Sequence, residues 1–201
     1  MLGLVHAILS SAGLAAAIVS LPAYLPFGVP AQIRPSELGC EALAGGITDH
    51  SGQYSCMRLP RSDPMFEQYI LAYVDGVGLC NVVAVSPYIK DDARGSTTRH
   101  LFDRAARSMQ KELGPPSESI DHSHTPLVAE DGHFREGVIS QDRQVFDQWT
   151  GLSQRFSNLD SVSLTVSGDP DWGLAVYGIY RFSNNDACMR EMEVVTGPDG
   201  E

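Results

Sequence analysis

From Phe66 onward the chain alternates between two hydrophobic periods. Gln68–Val74 and Leu79–Val85 read as strands on either side of Asp75-Gly76, which has the chemistry of a tight turn, so the pattern predicts a β-hairpin. Tyr69, Leu71 and Tyr73 share one face of the first strand, and Ile70, Ala72 and Val74 share the other. Both faces are apolar, which predicts a strand that is central or covered on both sides. In the return strand, simple alternation groups Cys80, Val82 and Ala84 against Asn81, Val83 and Val85, and Pro87 ends the pairing. A charged loop, Lys90–Gly95, then leads to Thr97–Leu113, where Leu101, Ala105, Met109 and Leu113 recur four residues apart with Phe102 and Ala106 beside them. This is an amphipathic helix, capped by Ser96 or Thr97 and stopped by Gly114-Pro115-Pro116.

The flanking stretches are less regular. Upstream, Pro35–Ala44 reads as a short helix carrying Cys40, stopped by Gly45-Gly46; a polar turn, Thr48–Gln53, precedes a short strand, Tyr54–Leu59, carrying Cys56. Downstream, Ser117–Glu130 has no clean period, and Phe134–Trp149 reads as a helix, continuous or broken, that buries Val138, Val145, Phe146 and Trp149. Leu159–Ser167 sets Val162, Leu164 and Val166 against Ser161, Ser163 and Thr165, the pattern of a half-buried strand. Gly168–Gly173 is the turn, in which Asp169 and Asp171 read as ordinary turn chemistry, and Leu174–Phe182 is the longest strand. Asn184-Asn185-Asp186 caps a last helix bearing Cys188, ahead of a polar tail, Thr196–Glu201. The fold expected is α+β. An antiparallel sheet of about five strands, formed by the two hairpins and the Tyr54 strand, carries the Thr97 helix across one face.

Composition narrows the setting. A chain of 201 residues with 43% hydrophobic content suits one domain with a single core. The net charge of -11 argues against a nucleic-acid binder, which needs a concentrated surplus of Lys and Arg. No Lys, Arg, Asp or Glu precedes Arg34, and Leu2–Leu25 is apolar and rich in small residues, as in an export signal. Pro22, Pro26 and Pro30 break that run, and Val29-Pro30-Ala31 presents small residues where a signal peptidase reads, which places cleavage after Ala31. If residues 1–25 are retained, about 20 apolar residues suffice for a membrane anchor. The expected organisation is a signal or anchor over 1–31 and a single α+β domain over 32–201, periplasmic or secreted.

Candidate chemistry is sparse. His100, Arg104, Arg107 and Lys111 fall on one face of the central helix, the sole cationic cluster on an acidic chain; they suit a partner protein or a small anionic ligand, or else form a solvated face. On an extended segment His122 and His124 would project to one side, with His133 and several carboxylates nearby, but neither an HExxH nor a cysteine partner supports a metal site, and no metal or cofactor is expected. The Rossmann glycines, the phosphate-binding loop, the G-x-S-x-G elbow and the CxxC pair are all missing.

Phe66-x-x-Tyr69, Gly78-Leu79-Cys80, Gly95, Phe102, Leu113-Gly114, Trp149 and Tyr180-Arg181-Phe182-Ser183-Asn184-x-x-x-Cys188 together resemble a pattern of small exported bacterial proteins of unknown function. Leu113 and Arg181 stand where that pattern has an aromatic and an acidic residue. The resemblance implies export and the pairing of Cys80 with Cys188, and it brings no activity. Four cysteines allow three connectivities, among which the sequence alone does not choose, although nearness along the chain favours Cys40 with Cys56. The functional expectation is a non-catalytic exported module that binds a protein partner or a small ligand. Two alternatives stand beside it: an inhibitor or immunity-type protein, and a metal-dependent hydrolase built on the His122 region.

Overall fold

The computed structural model describes residues 20–43, 51–126 and 131–195. The apolar start before residue 20, Gly45-Gly46, Glu130 and the tail from Thr196 lie outside the described residues. Eight strands form one sheet: β1 Glu41–Ala42, β2 Ser51–Cys56, β3 Gln68–Val74, β4 Gly78–Val85, β5 Glu118–Ser123, β6 Arg143–Trp149, β7 Leu159–Asp169 and β8 Gly173–Phe182. Their order is β1-β2-β3-β4-β8-β7-β6-β5, and every neighbouring pair is antiparallel. Two meanders therefore meet at the β4–β8 pair. The helix α1, Ser96–Leu113, carries the chain from β4 at the centre to β5 at the far edge, packing over β7 and β8 on the way. Two shorter helices follow, α2 Phe134–Ile139 and α3 Asn185–Val195.

The expected hairpin, the amphipathic helix, the C-terminal hairpin and the last helix are all present, and the class is α+β. Three strands are added to the expected five: β1, only two residues long, and β5 and β6, which carry no ordinary hydrophobic alternation. On β6 the buried positions are Arg143, Val145, Asp147 and Trp149, so charged residues interrupt the apolar row. Arg143 is tolerated there because its guanidinium donates to both Asp121 oxygens at 2.8 and 3.0 Å and lies over the Phe134 ring at 4.9 Å. The helix expected over Phe134–Trp149 is thus a short helix followed by a strand, and Phe146 lies on the face opposite Val145 and Trp149. β5 is a polar edge strand with no buried residue, hence its lack of a period. The longest strand is β7 rather than β8.

Other expectations shift for local reasons. The helix expected over Pro35–Ala44 is a single 3-10 turn, Pro35–Leu38, which ends at Gly39 in the left-handed region, so Cys40 follows the turn instead of riding on it. Ser51–Gln53, expected as turn, opens β2. Neither Ser96 nor Thr97 caps α1; Gly95 occupies the cap position, and Asp92 reaches in from the preceding loop. Its carboxylate accepts from the Thr98 N–H at 2.8 Å and the Thr98 hydroxyl at 2.7 Å. Gly95 is required: its φ is +68°, and a Cβ would fall 2.0 Å from the ring of Phe134, which is fully buried.

The Asp92 cap links fold to pH. Burial raises its pKa, but the hydrogen bonds from Thr98, Thr97 and Ser96 outweigh that, leaving it below the usual aspartate value. A folded-state pKa below the unfolded one gives stability that is present above about pH 4 and is lost as pH falls through the folded value. Asp92→Asn is therefore expected to cost about 1–2 kcal/mol at neutral pH. In urea titrations the gap between wild type and variant should close below about pH 4. A gap that stayed constant with pH would mean that Asp92 acts by shape and not by charge.

Both disulfides are formed. Cys40 joins Cys56 with Cα atoms 4.4 Å apart, and Cys80 joins Cys188 at 5.9 Å. The second required a departure from simple alternation. Between Ala72 and Tyr73 the β3–β4 register shifts, so that Ala72 pairs with Asn81 but Tyr73 pairs with Leu79, and Cys80 is the extra residue of a β-bulge. The bulge turns Cys80 away from Val82 and Ala84. It packs instead with Ala72, Val74 and Cys188 under α3, while Leu79, Val82 and Ala84 stay in the main core. Two disulfides point to an oxidising, extracytoplasmic location. Among the described residues no helix is long and apolar enough to cross a membrane.

Candidate functional site

The segment before β1 contains prolines at 22, 26 and 30, which bar a regular helix and leave backbone groups to find partners elsewhere. They find them across the domain. The Ser157 N–H donates to the Pro22 carbonyl at 3.0 Å, the Arg61 N–H to Phe27 at 2.8 Å and the Leu79 N–H to Ala31 at 2.8 Å. Asn158 grips Tyr24 from both sides, accepting its N–H at 2.7 Å and donating to its carbonyl at 2.8 Å. Val29 is fully buried, and Phe27 sets its ring among three others, at 4.8 Å from Tyr69, 5.2 Å from Tyr180 and 6.0 Å from Phe66. Phe27 does so at a φ of +53°, which bulky residues rarely adopt, so packing holds it in a strained conformation. Tyr24, Phe27 and Val29 pack against residues that lie beyond position 31.

Between this segment, the Arg61–Phe66 loop and the edge of α1 lies a cavity of about 430 Å³, in the size range of small-molecule sites. Helix α1 lines it with Ala105, Ser108, Met109 and Glu112, one stripe at helical spacing. Its approach to the sheet is close because β8 places Gly178 beneath Met109; a Cβ there would come 3.0 Å from the Met109 methyl. Rings and thioethers form one part of the wall: Tyr24, Phe27, Met65, Phe66, Met109 and Tyr180.

The polar groups are few and placed apart. The Tyr24 hydroxyl donates to Glu112 Oε2 at 2.7 Å. Asp63 Oδ1 accepts the Met65 N–H at 2.8 Å. Tyr180 is only 5% exposed, lines the cavity, and its hydroxyl has no hydrogen-bond partner among the described residues. Burial, then the Glu112 and Asp63 charges, push the Tyr180 pKa well above the usual phenol value; burial and then Tyr180 and Glu112 do the same for Tyr24. Both hydroxyls therefore stay protonated and serve as donors.

The residues singled out by sequence lie elsewhere. His100, Arg104, Arg107 and Lys111 are all exposed on α1, with no ion pair among the described residues. His122 and His124 do project together, with ring centroids 5.2 Å apart, from the edge strand and the residue just after it. His133 instead contacts Glu136, with Nδ1 2.8 Å from Oε2. Among the described residues no group of three or more His, Cys, Asp or Glu is arranged to hold a metal ion. Asp169 Oδ1 accepts the N–H groups of Asp171 and Trp172 at 2.8 and 3.0 Å, the turn chemistry expected of it.

The cavity itself escaped the sequence reading. Half its aromatic wall lies in the stretch read as a removable signal, and the Ala105-Ser108-Met109-Glu112 stripe lies at the margin of the helix's apolar face. No family model, curated protein or solved structure matches this chain.

Proposed function

We propose that this protein is a non-catalytic binding module of the periplasm or the extracellular space, and that it takes a small ligand in the cavity between α1 and the N-terminal segment. One observation carries the reading: the cavity of about 430 Å³ brings the rings of Tyr24, Phe27, Phe66 and Tyr180 to one space with Asp63 and Glu112. Rings and thioethers set beside charged and hydroxyl groups suit a small amphipathic ligand. A second reading, partner binding through the basic face of α1, is favoured by the full exposure of His100, Arg104, Arg107 and Lys111 on an acidic chain.

Ser108→Trp separates the two. Ser108 is half-buried on the cavity side of α1, so a larger side chain there fills the cavity while leaving the core in place. Calorimetric titration with 3-phenylpropylamine, 3-phenylpropanol and 3-phenylpropionate is expected to give saturable binding of at least one probe to wild type. Affinity should fall at least tenfold in Ser108→Trp and stay unchanged in Arg104→Glu with Arg107→Glu. Binding that survived Ser108→Trp, or that depended on the two arginines, would refute the cavity reading.

A further inference from the structure

Resting on the cavity as the binding site, the geometry points to its ligand class: we infer a small organic cation, an amine or quaternary ammonium group carried on an apolar body with one hydrogen-bond acceptor. Three independent features converge on that chemistry.

The first is the aromatic wall. Phe27 stands edge-on to Phe66 and Tyr180, at interplanar angles of 83° and 79°, and Tyr24 stacks against Tyr180 with ring centroids 6.2 Å apart. Ring faces are the negative pole of the aromatic quadrupole, and several rings around one space attract a cation more strongly as water is excluded.

The second is the balance of charge. Two carboxylates, Asp63 and Glu112, line the cavity against one guanidinium, Arg61. Each carboxylate commits one oxygen to a protein donor, Asp63 Oδ1 to the Met65 N–H and Glu112 Oε2 to the Tyr24 hydroxyl. Asp63 Oδ2 and Glu112 Oε1 have no hydrogen-bond partner among the described residues. Arg61 is exposed, and its stem lies against Gly28, where a Cβ would meet the Arg61 Cγ at 3.0 Å. One guanidinium offsets one of the two carboxylates, which leaves the lining with a net negative charge. An anion entering this space would meet repulsion from both.

The third is the Tyr180 hydroxyl, a donor without an acceptor. An ammonium ion cannot satisfy it, which is why the ligand needs a hydroxyl, carbonyl or ether oxygen as well. A molecule that brings a positive charge to Asp63 and Glu112 and an oxygen to Tyr180, with its apolar body against Phe27, Phe66 and Met109, meets the carboxylates and the Tyr180 donor together.

The matched probes 3-phenylpropylamine, 3-phenylpropanol and 3-phenylpropionate share a skeleton and differ in charge, so their dissociation constants measure the charge preference directly. Wild type is expected to bind the amine at least about tenfold more tightly than the alcohol, and the alcohol more tightly than the carboxylate. Glu112→Gln and Asp63→Asn should each remove most of the amine's advantage without changing the alcohol's affinity. Glu112 is exposed and Asp63 half-buried, and both amide variants keep an oxygen for the existing hydrogen bonds, so thermal melting should hardly move. Equal or tighter binding of the alcohol or the carboxylate would overturn the ligand class while leaving the cavity as the site. Failure of all three probes to bind would overturn both.

Discussion

A chain that begins at Gln32 is expected to lose cooperative folding or to melt at least about 15 °C below one that begins at Leu21. The deletion removes Val29, which is fully buried, and the Phe27 ring that packs on Phe66, Tyr69 and Tyr180. Loss of the half-buried Phe27 ring costs less than the about 3–5 kcal/mol of a fully buried phenylalanine, and the fully buried Val29 adds about 1.5. The deletion also strips acceptors from the Arg61, Leu79 and Ser157 N–H groups. Against a net domain stability of about 5–15 kcal/mol the sum is large, and each kcal/mol moves the midpoint by about 2–4 °C at this size. It follows that protein from the native host, if a signal is removed, should begin upstream of Pro22. Intact mass on that protein checks the point: a mature chain starting at Gln32 that melts as the longer one does would refute it.

Removing the second disulfide should have the next largest effect. Cys80 and Cys188 are 108 residues apart, and in the chain-entropy model a loop of that size contributes nearly 5 kcal/mol, against about 3 kcal/mol for the 16-residue separation of Cys40 and Cys56. Structure adds to the difference. Cys188 anchors α3 over Ala72, Val74 and Cys80, a small cluster separate from the main core, with Val77 and Met192 at its margin. Cys80→Ala with Cys188→Ala is therefore expected to lower the midpoint by about 10–15 °C and to expose α3 to protease before the rest of the domain. The Cys40→Ala, Cys56→Ala pair should lose less. A Cys80/Cys188 double variant that melts within about 3 °C of wild type would mean that the unfolded chain is already compact enough to make the cross-link irrelevant.

What could be read from the sequence was what local periodicity encodes. β3, α1 and the β7–β8 hairpin are each built from residues whose burial follows their spacing. β6 was lost because Arg143 and Asp147 occupy buried positions, and their partners, Asp121 and Ser119, come from β5, far along the chain. Simple alternation misplaces Cys80 because a bulge inverts the pattern within β4, and nothing in Gly78-Leu79-Cys80 marks it. The α1 cap was misassigned because Asp92 lies three residues before the cap position. The cavity was the least legible feature: its walls come from four separate stretches, one of which resembles a disposable leader. Composition alone does not distinguish an apolar run that is removed from one that ends inside a core.

The central claim, that the space beneath the N-terminal segment is a ligand site, has built-in reporters. Met65 and Met109 line the cavity, whereas Met57 and Met189 are 68% and 44% exposed elsewhere. In protein labelled with 13C at the methionine methyls, titration with 3-phenylpropylamine should shift Met65 and Met109 in a saturable way and leave Met57 and Met189 in place. Saturable shifts confined to Met57 or Met189, or no shift at Met65 and Met109 with any of the three phenylpropyl probes, would contradict the account.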